Sequence, residues 1–192
     1  MSTEPKRDIY MEIKEKWQSF EDKWMSMMIH PRTFFTELDK YEAWEEVIIF
    51  NAVCGLLAGL MKTVLTFGKA WITLLIYPPL LIAVSGISGV ILFLSFKMCG
   101  GEGEFEQTVK IAGYTQAVGI FSFGIPVIGP LLCFYQLVLL IVMGEVAHGL
   151  DARRSFYAIV IPLILCLCLM TLITTITGLS FFGGILSHKG QI

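Results

Sequence analysis

Thirty-four consecutive residues, Ile111 to Gly144, carry no charged side chain. One straight helix of that length would extend about 51 Å at 1.5 Å per residue, well beyond the roughly 30 Å of a bilayer's hydrocarbon core. The run must therefore turn. "IPVIGP" (Ile125 to Pro130) supplies the break, because two prolines and a glycine so close together cannot continue a regular helix. The predicted product is a helical hairpin with arms at about 107–125 and 131–147. A re-entrant hairpin is the alternative, since both arms are short for a crossing.

Three more apolar runs complete the pattern. Residues 47–67 are interrupted only by Lys62, residues 71–97 contain Pro78 and Pro79, and residues 156–178 follow Arg153 and Arg154. With 55% hydrophobic residues, 16% charged residues and a mean hydropathy of +0.72, the chain is too apolar for a soluble domain of its size. The expected fold is an all-α integral membrane protein. Five transmembrane helices (about 47–67, 71–97, 107–125, 131–147 and 156–178) make up a membrane domain at 46–182. An amphipathic helix in a cytoplasmic or interfacial N-region, 1–45, precedes it, and a short external tail, 183–192, follows.

Orientation follows from the basic residues. With the amino terminus inside, eleven of the 14 Lys and Arg fall on inner segments, leaving Lys62, Lys69 and Lys189 outside. That bias predicts a cytoplasmic amino terminus. The net charge of −2 gives no field that would draw nucleic acid. The five cysteines show no CxxC or Cys/His ligand spacing and read as small buried hydrophobes. No cofactor or metal is expected.

"GGEGEF" (Gly100 to Phe105) could be taken for a phosphate loop, but it has no Lys-Ser/Thr ending, and Glu102, Glu104 and Glu106 would repel an anion. It also lacks the spaced ligands of a helix-loop-helix calcium site. The expected role is a turn that ends one span and starts the next, with glutamates favoured at the new helix's amino end. "GGEGEFEQTVKIAGYTQA" followed by "IPVIGP" resembles the central region of the prokaryotic branch of the Yip family, membrane proteins named for interacting with Ypt/Rab GTPases. "HPRTFFTELDKYEAWEEVIIF" is similar to the segment that leads into that family's first span. The resemblance runs over about residues 28–178 and implies five spans, a cytoplasmic amino terminus and a prokaryotic cell membrane. The Asp-Leu-Tyr-Gly-Pro motif of the best-known eukaryotic members is absent, so a GTPase or vesicle-trafficking role is not carried over.

In the N-region, Ile9, Ile13, Trp17, Phe20, Trp24 and Met27 or Met28 recur at steps of four and three, one apolar helical stripe. Two tryptophans in that stripe suggest a helix lying in the headgroup plane. Packing on the inner ends of the spans, or on a second copy, is the equal alternative. Beyond the break at His30 and Pro31, a second short interfacial helix is expected to present Phe34, Phe35, Leu38 and Tyr41. Within the spans, Gly55/Gly59, Ser85/Gly89 and Gly113/Ala117 have the small-xxx-small spacing that lets helices approach closely.

Tyr114, Gln116 and Gln136 are the polar side chains expected to face the bundle interior, with Gln116 and Gln136 bonded across the hairpin. Glu145 and His148 share a helical face at the inner boundary. They could form a proton relay or ion site, though an interfacial electrostatic cluster fits their shallow position better. Nothing suggests a nucleophile with its base and orienter, so a non-enzymatic protein is expected. Its expected work is membrane organisation or protein interaction. The partners would be the lipid bilayer, another membrane or cytoplasmic protein, or a second copy. The alternative is a small transporter or channel for a neutral solute, with Tyr114, Gln116, Gln136 and Thr174 lining the path.

Overall fold

The computed structural model describes residues 4–38, 43–125 and 129–189, and among them every regular element is helical. Two helices form the N-region, α1 (Glu4–Ile29) and α2 (Pro31–Glu37). His30 separates them, and Pro31 opens α2, where its missing N–H leaves no hydrogen bond unmade. Then come α3 (Trp44–Leu65), α4 (Thr73–Met98), α5 (Phe105–Thr115), one 3-10 turn (Gln116–Val118), α6 (Gly119–Gly124), α7 (Gly129–His148) and α8 (Ala152–Lys189).

Four of the described helices are long and apolar enough to cross a membrane: Trp44–Leu65, Thr73–Met98, Leu131–His148 and Ala152–Thr175. The expected third span is not among them. Residues 105–124 are helical throughout except that the 3-10 turn divides them into α5 and α6, neither long enough alone. One boundary also moves. Helix α8 runs on to Lys189, so most of the expected tail is helical, and Pro78 and Pro79 lie inside α4 near its start.

The 105–124 segment is the axis around which the rest packs. Every residue from Thr108 to Ile120 is buried, against α4 and α3 for α5, and against α3 and α7 for α6. Helices α3 and α4 form the tightest pair. A Cβ added at Gly55 would sit 2.6 Å from the Pro78 Cα, so the two backbones touch there and no side chain can yield. One residue before Pro78, the Tyr77 hydroxyl accepts from the Lys62 Nζ of the last turn of α3 at 2.6 Å.

The second half of α1 and all of α2 lie on this bundle. Met27 and Phe35 are fully buried in the common core, and Phe20 and Trp24 pack against it. The Trp24 indole donates to the Ala117 carbonyl at 3.3 Å, and the Tyr135 hydroxyl donates to the Met28 carbonyl at 2.6 Å. Lys23 pairs with Glu46 of α3, and Arg32 with Glu145 of α7. The second short helix spans Pro31–Glu37, earlier than expected, and Tyr41 lies outside the described residues.

Candidate functional site

Polar chemistry collects at the end of the bundle where α4 stops, α5 starts, and α7 turns into α8. Helix α4 ends at Met98, with Cys99 as its cap. The Gly101 N–H then reaches back to the Phe96 carbonyl at 2.8 Å, and the Glu102 N–H reaches across to the His148 carbonyl at 3.1 Å. The GGEGEF turn is thereby fastened to the last residue of α7. Its glycines are there for closeness: a Cβ on Gly103 would sit 2.4 Å from the Ala147 carbonyl oxygen and 2.6 Å from His148 Nδ1. A side chain at that position would push the loop off the imidazole.

His148 is 2% exposed and stacks near Phe96, ring centroids 4.7 Å apart. Its Nε2 is 2.8 Å from the Thr108 Oγ1. That hydroxyl has a single hydrogen, which it donates to the Glu104 carbonyl at 2.7 Å. For both bonds to form at once Nε2 has to be the N–H donor, and this tautomer assigns Nδ1 as a bare acceptor; Nδ1 is buried and without a partner. In front of this ring lies an open cleft of about 540 Å³, lined by the loop (Gly100, Glu102, Gly103, Glu104), by Gln107, and by Ala147 to Gly149 with Arg154 of α8.

Glu145 and His148, expected to act together, are used separately: Glu145 holds Arg32 of α2, and His148 holds Thr108 and the loop. Tyr114 is fully buried between Phe34 and Phe50, with centroid distances of 5.2 and 4.9 Å. Gln116 is buried in the 3-10 turn and Gln136 is half-buried on α7. No hydrogen bond joins the two among the described residues. Adjacency of the two hairpin arms does not by itself turn these two faces toward each other.

Gly59 lies against Thr73 and Leu74 of α4, Gly89 against Val109, Gly113 against Val47 and Asn51, and the Ala117 carbonyl takes the Trp24 indole. Of the N-region residues, Trp17 is half exposed, Phe20 stacks on Phe50 at 5.1 Å, Phe34 meets Tyr114, and Phe35 is buried. Ile13 lies in α1.

Three residues escaped the sequence reading. Asn51, the chain's only asparagine, is 1% exposed, donates to the Val47 carbonyl at 2.8 Å and lies against Gly113. Its identity in an apolar run was the available signal. Arg32 and Thr108 had none, because their partners are 113 and 40 positions distant, respectively.

Apolar helices with exposed hydrophobic faces, wrapped around a buried polar segment, define a multi-pass α-helical membrane protein. The chain belongs to the Yip1 domain family, whose profile matches residues 25–173. Comparison with curated proteins and with solved structures gives no match. The matched region takes in the last residues of α1, from Met25 on, and all of α2, while the docked Phe20, Lys23 and Trp24 lie just before it.

Proposed function

We propose that this protein is a non-catalytic organiser of protein contacts in a membrane, plausible for a prokaryotic cell membrane, that crosses the bilayer five times. The amino terminus and the 99–104 loop are on the cytoplasmic side and the carboxyl terminus is opposite. The fifth crossing is residues 105–124. At 1.5 Å per α-helical residue and 2.0 Å per 3-10 residue its length is about 31 Å, close to the hydrocarbon thickness. A surrounded helix need not be as apolar as its lipid-facing neighbours, which is why length and apolarity together miss it.

One observation carries the organiser reading over the transporter reading. The four residues that would line a solute path do not share one. Tyr114 is enclosed by aromatic rings, Gln116 is buried, Gln136 is half-buried on another helix, and Thr174 is exposed on α8 with its hydroxyl bonded to the Met170 carbonyl. By contrast the N-region offers a formed surface. Trp17, Phe20 and Lys23 of α1 border an open groove with Ile49, Phe50 and Val53 of α3, suited to an apolar partner segment. His148 is engaged structurally, its Nε2 with the Thr108 hydroxyl and its backbone carbonyl with the Glu102 N–H of the loop.

Two measurements test this. Purified protein in liposomes should add no flux of small neutral solutes above protein-free liposomes, and reproducible protein-dependent flux would favour the transporter. A photocrosslinking residue in place of Trp17 should give a discrete protein adduct in native membranes. Crosslinks to lipid alone would reject the organiser.

A further inference from the structure

We propose that the cleft between the GGEGEF loop and the start of α8 binds a zwitterionic phosphate–primary amine group, the headgroup of an aminophospholipid such as phosphatidylethanolamine. This goes beyond the organiser reading and does not depend on it. The argument starts from charge. Glu102 and Glu104 line the cleft from the loop, and Arg154 lines it from α8, so a single small cavity presents both signs. A purely anionic ligand would meet two carboxylates, and a purely cationic one would meet a guanidinium. A ligand with a phosphate and an ammonium two carbons apart satisfies both, the phosphate on Arg154, whose planar fork suits it, and the ammonium on the glutamates.

The second observation is independent of charge. His148 also lines the cleft, is 2% exposed, and turns a bare acceptor nitrogen toward Gly101 and Gly103. This acceptor tautomer is the one that lets the Thr108 hydroxyl keep its bond to the Glu104 carbonyl while it accepts from Nε2. Buried acceptors in native proteins normally have a donor. A primary ammonium brings three N–H donors, whereas a trimethylammonium brings none, so the site should prefer ethanolamine over choline headgroups. Gly101 and Gly103, with no side chains, give the acceptor its thinnest possible cover.

Position supplies the third element. The cleft joins the ends of three apolar helices: α4 stops at Met98, α7 at His148, and α8 starts at Ala152. In a bilayer that is the depth of lipid headgroups.

The test uses the full-length protein in phosphatidylcholine nanodiscs doped with equal amounts of phosphatidylethanolamine and tracer phosphatidylcholine, with bound lipid read by native mass spectrometry. The expected result is retention of ethanolamine lipid over choline lipid, reduced about tenfold in Arg154→Gln and in the Glu102→Gln, Glu104→Gln double variant, the scale of one charge-assisted contact. These side chains line an open cleft, so folding can be checked by an unchanged melting temperature, and His148→Gln serves as a third probe if it passes the same check. Soluble phosphoethanolamine is the second ligand. If it displaces the lipid, the headgroup alone is recognised and a free metabolite of that chemistry is an equal source; if it does not, the ligand is the lipid. Equal retention of the two lipids with no response to soluble phosphoethanolamine would overturn the proposal. So would a preference indifferent to all the substitutions.

Discussion

Between Thr108 and Ile120 every side chain is buried, and Thr108, Lys110, Thr115 and Gln116 are among them; between Leu163 and Thr175 every side chain is exposed, and the only polar ones are three threonines. A water-soluble protein would arrange the two segments the other way round. The difference shows what the solvent is. Along the axis, polar groups are tolerated because each has protein around it: Lys110 reaches Glu106 at 2.7 Å with Trp44 beside it, and the Thr115 hydroxyl donates to the Ala112 carbonyl at 2.7 Å. On α8 the threonines turn their hydrogens inward, Thr171 to Cys168, Thr174 to Met170 and Thr175 to Thr171, so lipid meets no unused donor. The burial gradient agrees: 39% of the apolar window of α3 lies inside the fold, but only 11% of that of α8.

Substitutions can break or sharpen this contrast, and the largest effect belongs to the axis. Tyr114→Ala would empty the space between Phe34 and Phe50 and should cost about 3–5 kcal/mol, the usual range for removing a buried ring. Denaturant titration in mixed micelles reads it, and a loss below about 1 kcal/mol would mean that the axis is not a packed core. Next is Gly55→Ala. Its new methyl meets the Pro78 backbone rather than a flexible side chain, so about 1–3 kcal/mol should be lost, visible as a lower melting temperature.

Trp24→Phe keeps most of the packing but removes the indole donor to Ala117, and should cost about 0.5–1.5 kcal/mol. The same substitution leaving stability unchanged, with membrane association of the amino-terminal segment weakened, would favour a helix in the headgroup plane over one docked on the bundle. Smallest of all is Leu165→Ala on the exposed face of α8, expected to stay within about 0.5 kcal/mol. A cost as large as that of Tyr114→Ala would show that α8 is covered by something more specific than lipid.

The long apolar runs were readable because one physical requirement, about 20 apolar residues per crossing, writes itself into a contiguous stretch. Their boundaries came within a few residues in α3, α4 and α7. At the carboxyl-terminal end the helix continues past the span expected at 156–178, through the glycines at 183 and 184, to Lys189.

The candidate site was harder to read. The sequence exposed the two halves, the glycine turn and the Glu145–His148 pair, but not that the first folds over the second. That contact depends on how α4, α5 and α7 are arranged, which no local pattern encodes. The same holds for Glu145. Its spacing from His148 was correct, but Arg32 of α2 took it, and only the docking of the N-region makes that partner available. Gln116 and Gln136 were expected to bond across the hairpin, but Gln116 lies buried in the 3-10 turn, Gln136 is half-buried on α7, and no hydrogen bond joins them among the described residues.

The central claim is that the polar segment 105–124 crosses the membrane as the axis of the bundle. In a background with the five native cysteines replaced, single cysteines at Glu102 and at Ile125, which bracket the segment, can be labelled with a membrane-impermeant maleimide in sealed inverted vesicles and in intact cells. The account predicts that Glu102→Cys reacts only in the inverted vesicles, where the cytoplasmic face is outward, and Ile125→Cys only in intact cells. Reaction of both from the same side would contradict it, leaving 105–124 a re-entrant or interfacial segment and the bundle with four crossings.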